Sequence, residues 1–472
     1  MSRAPWRDHI VTTLIAFVST FFGVALIQGS QLMVDFIVAD DPEAAGLFGT
    51  AVLSVAVVFI GIGAYTAAVV TANTFSTIVA GRVRTIAQYR LLGQTAGKLR
   101  ANLAGEGFVA GLVGTLLGLA SALVTYRLLV QAGIDREFLP TADSVNYTWV
   151  APAVAIPAVI SVLTVWVAAY VGSRAVSKVS PVQALSAHVE TPVEERRSSA
   201  VRKISFGLFM AVGVALLLGG CALGVVSPMG VLVAFWGGVF SFTAVVIGAV
   251  MIVPRLLALI GRCFGSSAAV MLARGNVTRA PRAATRATIG MIIGVALIVM
   301  FVVALATMKQ IVWMYLLEQN GGQVPEAEKM VFDQSMMAVN GVMVSLTCVS
   351  VVLAAIGMIS NLALAVIQRR RELGLLRAVG ATSSQIRLMI LVESAVTSIV
   401  AIGFGAILGI LYGWAGAQST FGAVVGGFAL PVVPWELPVA VAAATITLAL
   451  VAAIGPSIRA TKVSPVEALA VS

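Results

Sequence analysis

Few residues of this chain could carry out chemistry. Its 472 residues include only two histidines and three cysteines, and the cysteines form no C-x-x-C pair. Catalytic and metal sites are usually built from clusters of such residues. Both histidines, His9 and His188, lie in polar flanks of apolar segments. The sequence therefore predicts no catalytic residue, no metal site and no cofactor bound by this chain.

One stretch, GQTAGKL from Gly93, has a superficial likeness to a phosphate-binding loop. That loop needs a glycine where Leu92 stands, and a serine or threonine for magnesium where Leu99 stands. We therefore expect the chain not to be an enzyme by itself. Any ATP and magnesium that drive it would be bound by a partner.

Two acids, Glu106 and Glu393, stand at the start of apolar segments. An ionisable group at such a place is a functional hypothesis, for example a proton relay. Each acid also follows an arginine, Arg100 or Arg387, by six residues near the membrane boundary. We favour a local ion pair or helix cap over the relay.

The elements that position these residues are apolar segments. The chain is 59% hydrophobic and 11% charged, with a mean hydropathy of +1.01. It contains about ten segments long enough to cross a bilayer as helices. This predicts an all-α polytopic membrane protein with spans arranged 4 + 2 + 4. Glycines within the spans recur at the spacing of helix contacts, namely Gly111, Gly114, Gly118, Gly403, Gly405 and Gly409.

Basic residues predict the orientation, because they favour cytoplasmic loops. With both termini in the cytoplasm, every Lys and Arg falls inside except Arg127, Arg136, Lys309 and Lys329. The net charge of +10 is therefore expected to form a cytoplasmic face beside the lipid bilayer of the plasma membrane. No nucleic-acid partner is predicted.

The chain contains an internal repeat. At a constant offset of 287 positions, aligned pairs extend from Arg82 and Arg369 to Gly118 and Gly405. Each copy ends in K-V-S-P-V-x-A-L, which places Lys178 and Pro181 in one tail and Lys462 and Pro465 in the other. We predict two parallel four-span modules, 1–187 and 273–472, joined by a linker and two central spans, 188–272.

Both copies carry a basic segment between their second and third spans, 82–100 and 369–387. Apolar residues between the charges suit a helix lying at the membrane interface. The segment is either a lipid anchor or the contact through which a soluble partner acts on the spans, and the paired glycines favour the second. The residues assigned to coupling are Arg82, Arg84, Arg90, Gly93, Arg369, Arg371, Glu372, Arg377, Gly380 and Arg387.

The segments QRRRELGLLRAVGATSSQIRLMILVES and PSIRATKVSPVEAL resemble the FtsX-like permease domain of MacB-type (type VII) ABC transporters. The resemblance is specific from about residue 273 onward and weaker before it. It implies a permease with two FtsX-like domains in one chain, coupled to two copies of a cytoplasmic ABC ATPase. We expect the two K-V-S-P-V-x-A-L tails to lie beside that partner. An extracytoplasmic accessory protein is left open. Thr85 stands where the second copy has Glu372, so the two segments differ.

The expected function is that of the membrane subunit of an ABC exporter. It would move a hydrophobic or amphipathic molecule, such as a lipid, drug or antimicrobial peptide, outward. One alternative is an FtsX-like mechanical device that signals across the membrane without a transported substrate. Another is a secondary transporter with parallel repeats, against which the lack of further charged residues in the spans argues.

Overall fold

The computed structural model describes residues 9–40, 42–135, 148–178, 195–264, 281–330 and 382–443, and the single residues 332, 333, 336, 340, 352 and 380. In these ranges every regular element is a helix, and 8 helices are long and apolar enough to cross a membrane. The all-α polytopic fold is therefore confirmed. The two remaining apolar segments, 338–360 and 437–455, lie largely outside the described residues, so the 4 + 2 + 4 arrangement stays a prediction.

The first compact unit is Met1–Thr191. Its described elements are α1 (Ile10–Asp40), α2 (Pro42–Gly81), α3 (Val83–Leu91), α4 (Ala96–Asp135) and α5 (Ala155–Gly172), with 3-10 helices at Pro152–Val154 and Ser173–Lys178 on either side of α5. Helix α1 packs against α2 and α4, and α5 packs against the same two helices. The four long helices therefore share one core.

Glycines allow α4 to approach its neighbours closely. A Cβ atom added at Gly114 would collide with the carbonyl oxygen of Thr13, and one at Gly118 would lie 2.5 Å from the carbonyl oxygen of Phe17. Between lipid-solvated helices there is little hydrophobic drive, and small residues permit the backbone contact that holds them together. The prediction that these glycines mediate helix contacts is confirmed.

Three buried hydroxyl groups join α1, α4 and α5 deep in this unit. Thr20 Oγ1 donates to Thr115 Oγ1 at 3.3 Å, and Thr115 Oγ1 donates to Ser161 Oγ at 3.4 Å. Ser161 Oγ in turn donates to the backbone oxygen of Ala16 at 3.4 Å. The core of the first unit is therefore partly polar.

The second compact unit is Pro192–Ser472. Its described helices are α6 (Glu195–Gly224), α7 (Gly230–Ile260), α8 (Pro281–Gln319) and α9 (Ser383–Val425), with a 3-10 helix at Gly261–Phe264. The closest pairs are α8 with α9 and α6 with α7, and α9 also packs against α6 and α7. The central pair of helices thus packs within the second unit, while the three-part division of the chain stays a prediction.

The contact between α8 and α9 depends on two of the three glycines predicted for it. A Cβ atom at Gly409 would lie 2.5 Å from Cβ of Val299 and 2.7 Å from the carbonyl oxygen of Ala296, and Gly405 lies against Val295. The contact predicted for Gly403 is not seen among the described residues, where no atom outside its own helix lies within 4 Å of its Cβ position. Two residues along a helix correspond to a rotation of about 200°, which places Gly403 on the other face.

These contacts predict opposite effects for one chemical change at two positions of α9. Gly409→Ala should lower the thermal stability of the purified chain, because overpacking costs about 1–3 kcal/mol. Gly403→Ala, the control, should leave stability unchanged or raise it slightly, since alanine favours a helix by about 1 kcal/mol. Size-exclusion elution after a heating series measures both, and equal behaviour would contradict the described contact.

Candidate functional site

A small apolar cluster holds α3 in place. Val79 of α2, Ile86 of α3, Leu99 and Leu103 of α4, and Val176 of the 3-10 helix after α5 are all buried together. These side chains come from α2, α3, α4 and the continuation of α5. The packing therefore connects α3 to the ends of three long helices.

The other face of α3 carries exposed side chains. Thr85 and Gln88 are exposed along the helix. At its end Leu91 is 50% exposed and Leu92 is 81% exposed. Two adjacent exposed leucines between Arg90 and a following lysine, Lys98, give the segment an apolar tip in a basic surround.

The charge spacing of the basic segment 82–100 suggested a single helix, but the structure divides the segment between two helices. Helix α3 ends at Leu91, and α4, which carries Arg100, begins at Ala96. Gly93 makes the turn with a φ of 89°, and its backbone N–H donates to the carbonyl oxygen of Arg90 at 3.1 Å. A φ in this region strains any residue with a Cβ atom.

The second copy has the same turn where it is described. Gly380 has a φ of 106°, and two residues later Thr382 accepts a hydrogen bond at 3.3 Å from the backbone N–H of Gln385. In the first copy Thr95 accepts the equivalent bond from the backbone N–H of Lys98, also at 3.3 Å. Both α4 and α9 thus begin with a threonine cap that follows a left-handed glycine. The paired glycines thus have a structural cause, a turn that the sequence analysis did not predict, and the two caps were missed as well.

Glu106 joins three parts of the first unit through one carboxylate oxygen. Its Oε2 lies 3.2 Å from Nε2 of His9, which precedes α1, and 3.8 Å from Nη1 of Arg82, between α2 and α3. The His9 side chain is only 5% exposed, and its ring packs 6.2 Å from that of Phe75. Glu106 therefore has charge contacts with two residues distant in sequence, and not the local pair with Arg100 that was predicted.

Arg100 interacts with α5 instead of Glu106. Its Nη2 donates to the carbonyl oxygen of Tyr170 at 3.2 Å, and its guanidinium lies 4.3 Å from the centre of the Tyr170 ring. A cation is favoured there because the last carbonyls of a helix carry partial negative charge. The arginine thus ties the start of α4 to the end of α5.

The first tail begins at this site. The 3-10 helix Ser173–Lys178 packs against α2 and α4, so Lys178 lies next to the cluster that holds α3. Its side chain lies outside the described residues, as do Pro181, Lys462 and Pro465. The role of the tails beside a partner stays a prediction.

The structure describes only part of the set of residues predicted to couple the chain to a partner. Arg82, Arg90 and Gly93 lie in the first segment, but the Arg84 side chain lies outside the description. In the second segment the description covers Gly380, the backbone of Arg387, and Glu393, which is half-buried in α9. The others, Arg369, Arg371, Glu372 and Arg377, lie outside it. Among the residues that the structure describes, no group of three or more His, Cys, Asp or Glu could hold a metal ion.

A family model for the FtsX-like permease C-terminal region matches residues 57–181 and 344–465, together more than half of the chain. The two matched segments begin 287 positions apart, the same offset that aligns the arginines and glycines of the repeat. The first contains α3 and its turn, and the second contains Gly380.

Two bacterial relatives match over shorter stretches. The chain is 39% identical over 64 residues to the ABC transporter permease YtrF of Bacillus subtilis, which is 14% of each protein. It is 28% identical over 125 residues to the uncharacterized ABC transporter permease YknZ of the same organism, 26% of this chain and 30% of that protein. The matched stretches therefore span less than a third of either relative.

The shared carboxylate oxygen predicts coupled effects at Glu106 and His9. Glu106→Gln should lower the free energy of unfolding by about 1–3 kcal/mol, since the carboxylate charge beside a guanidinium and a buried imidazole is lost. His9→Gln should do the same by a smaller amount.

A double-mutant cycle checks this prediction. If the two side chains are in contact, the double variant should lose less free energy of unfolding than the sum of the two single losses, by about 0.5–3 kcal/mol. Chemical denaturation of the purified variants measures each term. Strict additivity would mean that the carboxylate and the imidazole do not interact.

Proposed function

Since the chain belongs to the FtsX-like permease family, an ABC transporter permease family, we propose that it is the membrane subunit of an exporter driven by a separate cytoplasmic ATPase. The observation that carries the proposal is the construction of the α3 segment. Its inner face is fixed to α2, α4 and the continuation of α5, and its outer face presents Leu91 and Leu92. This is what a contact needs if it is to pass a partner's movement to several spans at once.

In this proposal α3 faces the cytoplasm, where the basic residues of the chain concentrate, and both termini lie on the same side. One ATPase binds the segment 82–100 and a second binds 369–387, so a single chain carries two. ATP and magnesium are bound by these partners. The substrate is a hydrophobic or amphipathic molecule, such as a lipid, drug or antimicrobial peptide, taken from the outer leaflet or released outside.

Two rival functions differ in what they require of the same residues. A mechanical device that signals without a substrate would use the same linkage from α3 to the spans, and its ATPase activity would not respond to added lipids or drugs. A secondary transporter would need an ionisable group open to a coupling ion. The pairing of Glu106 with His9 and Arg82 speaks against that role for the first boundary acid.

The docking surface is tested by two matched changes of exposed aliphatic residues. Leu92→Asp should weaken binding of the partner ABC ATPase by tenfold or more, because a buried apolar contact of about 1.4 kcal/mol or more is lost. Val226→Asp, in the turn between α6 and α7 that this proposal assigns to the outside, alters a residue that is 83% exposed and should have no effect.

Co-purification of the chain with that ATPase supplies the measurement. The unmodified chain should retain two ATPases, and the Leu92→Asp chain fewer. A stable ratio of one ATPase per chain, or equal losses in both variants, would contradict the proposal.

The difference between the two segments gives a further prediction. Glu372 can pair with a cation of the partner, and a charge pair enclosed at an interface costs several kcal/mol to break from one side. Thr85, which is exposed, cannot form such a pair. Glu372→Ala should therefore reduce transport-linked ATP hydrolysis in vesicles much more than Thr85→Ala, with equal amounts of folded protein. Equal reductions would mean that the two segments work alike.

A further inference from the structure

A short motif occurs once in each copy of the repeat. The sequence TWVAP contains Trp149 and Pro152, and PWELP contains Trp435 and Pro438, 286 positions later. Helical structure begins at Pro152 in the first copy and at residue 436 in the second. Each tryptophan thus stands just before the start of a helix.

Both indoles point away from the protein although the neighbouring backbone is fixed. Trp149 is 42% exposed and Trp435 is 78% exposed, whereas Ala151 and Leu437, two residues after each, are buried. The buried amide of Gln28 donates to the backbone oxygen of Trp149 at 3.0 Å. The exposure of the first indole is therefore imposed by the fold and is not the result of a loose chain.

The length of α5 places Trp149 at a membrane boundary. The candidate span Pro152–Gly172 has 21 residues, about 31 Å of helix, which matches the hydrocarbon thickness of a bilayer. Tyr170 and the α3 cluster lie at one end of this span, and Trp149 lies three residues beyond the other. Tryptophan is enriched at that depth because its ring is apolar and its N–H is polar.

A cation accompanies the first tryptophan. The guanidinium carbon of Arg127 lies 5.5 Å from the centre of the Trp149 ring, and the Arg127 side chain is exposed. At the position 287 residues later the chain has Trp414, whose indole N–H donates to the backbone oxygen of Ala429 at 2.7 Å. The second copy therefore has an interior anchor where the first has an exposed positive charge.

We propose that Arg127 and Trp149 form a binding site for the headgroup of an anionic phospholipid in the leaflet opposite α3. The planar guanidinium donates two hydrogen bonds to the phosphate oxygens, and the indole lies beside the glycerol region of the same lipid. Trp435 contacts lipid without selecting a headgroup. The site does not depend on an ATPase or on a transported substrate.

Fluorescence quenching tests the site on the full chain in nanodiscs of phosphatidylcholine. A small, equal fraction of either brominated phosphatidylglycerol or brominated phosphatidylcholine is added. The contribution of Trp149 is the difference between the unmodified chain and Trp149→Phe, and that of Trp435 comes from Trp435→Phe in the same way. Equal quenching of Trp149 should need about five-fold less brominated phosphatidylglycerol than brominated phosphatidylcholine. This factor corresponds to the binding energy of about 1 kcal/mol that one basic residue near the surface contributes.

Three comparisons decide the result. Arg127→Gln should remove the preference of Trp149 for the anionic lipid, while Arg127→Lys should keep part of it. Trp435 should be quenched equally by both lipids. An excess of inorganic phosphate should leave the preference unchanged.

A measurement on the unmodified chain alone can overturn the proposal. Either equal quenching of Trp149 by the two lipids or no quenching by either would do so. A preference that survives Arg127→Gln, or one that free phosphate abolishes, would overturn it as well. In the last case the residue would bind anions from solution. Circular dichroism and elution volume verify that each variant is folded.

Discussion

Hydrocarbon offers the backbone no hydrogen-bond partner, and the whole structure follows from that constraint. The spans must be helices, so the described chain departs from helical geometry only around the ends of its long helices. The left-handed turn at Gly93, the threonine caps at Thr95 and Thr382, and the segment before α5 all lie there. The exposed leucines and the charge contacts lie at the same ends, while the middle parts of the helices pack against one another.

Polar side chains are buried in both units. In the first, hydroxyl groups of Thr20, Thr115 and Ser161 bond across three helices. In the second, α8 and α9 meet through aliphatic side chains such as Val295 and Val299, and the hydroxyl groups of Ser241 and Tyr412 lie 3.0 Å apart between α7 and α9. Both interiors thus combine apolar packing with hydrogen bonds between helices.

Composition and spacing were sufficient to predict eight of the ten spans, the repeat and most glycine contacts, because each of these depends on local sequence or on helix periodicity. The partner of Glu106 could not be predicted in this way, since His9 is distant in sequence and meets it only through the packing of α1 on α4. Six residues of helix correspond to a rotation of about 600°, so Arg100 and Glu106 point in different directions. That geometry explains why the arginine reaches Tyr170 and not the nearer acid.

The continuity of α4 has a mechanical consequence. The helix extends without interruption from Ala96 to Asp135, and its closest contacts with α1 centre on Gly114 and Gly118. From Gly114 it is about 27 Å to the start of α4 and about 32 Å to its end, so the glycine contact acts as a fulcrum between two arms of nearly equal length. A tilt of 5° about this fulcrum would move each end by about 2–3 Å in opposite directions. Movement imposed beside α3 would thus reappear, reversed and almost undiminished in size, at the far surface of the bilayer.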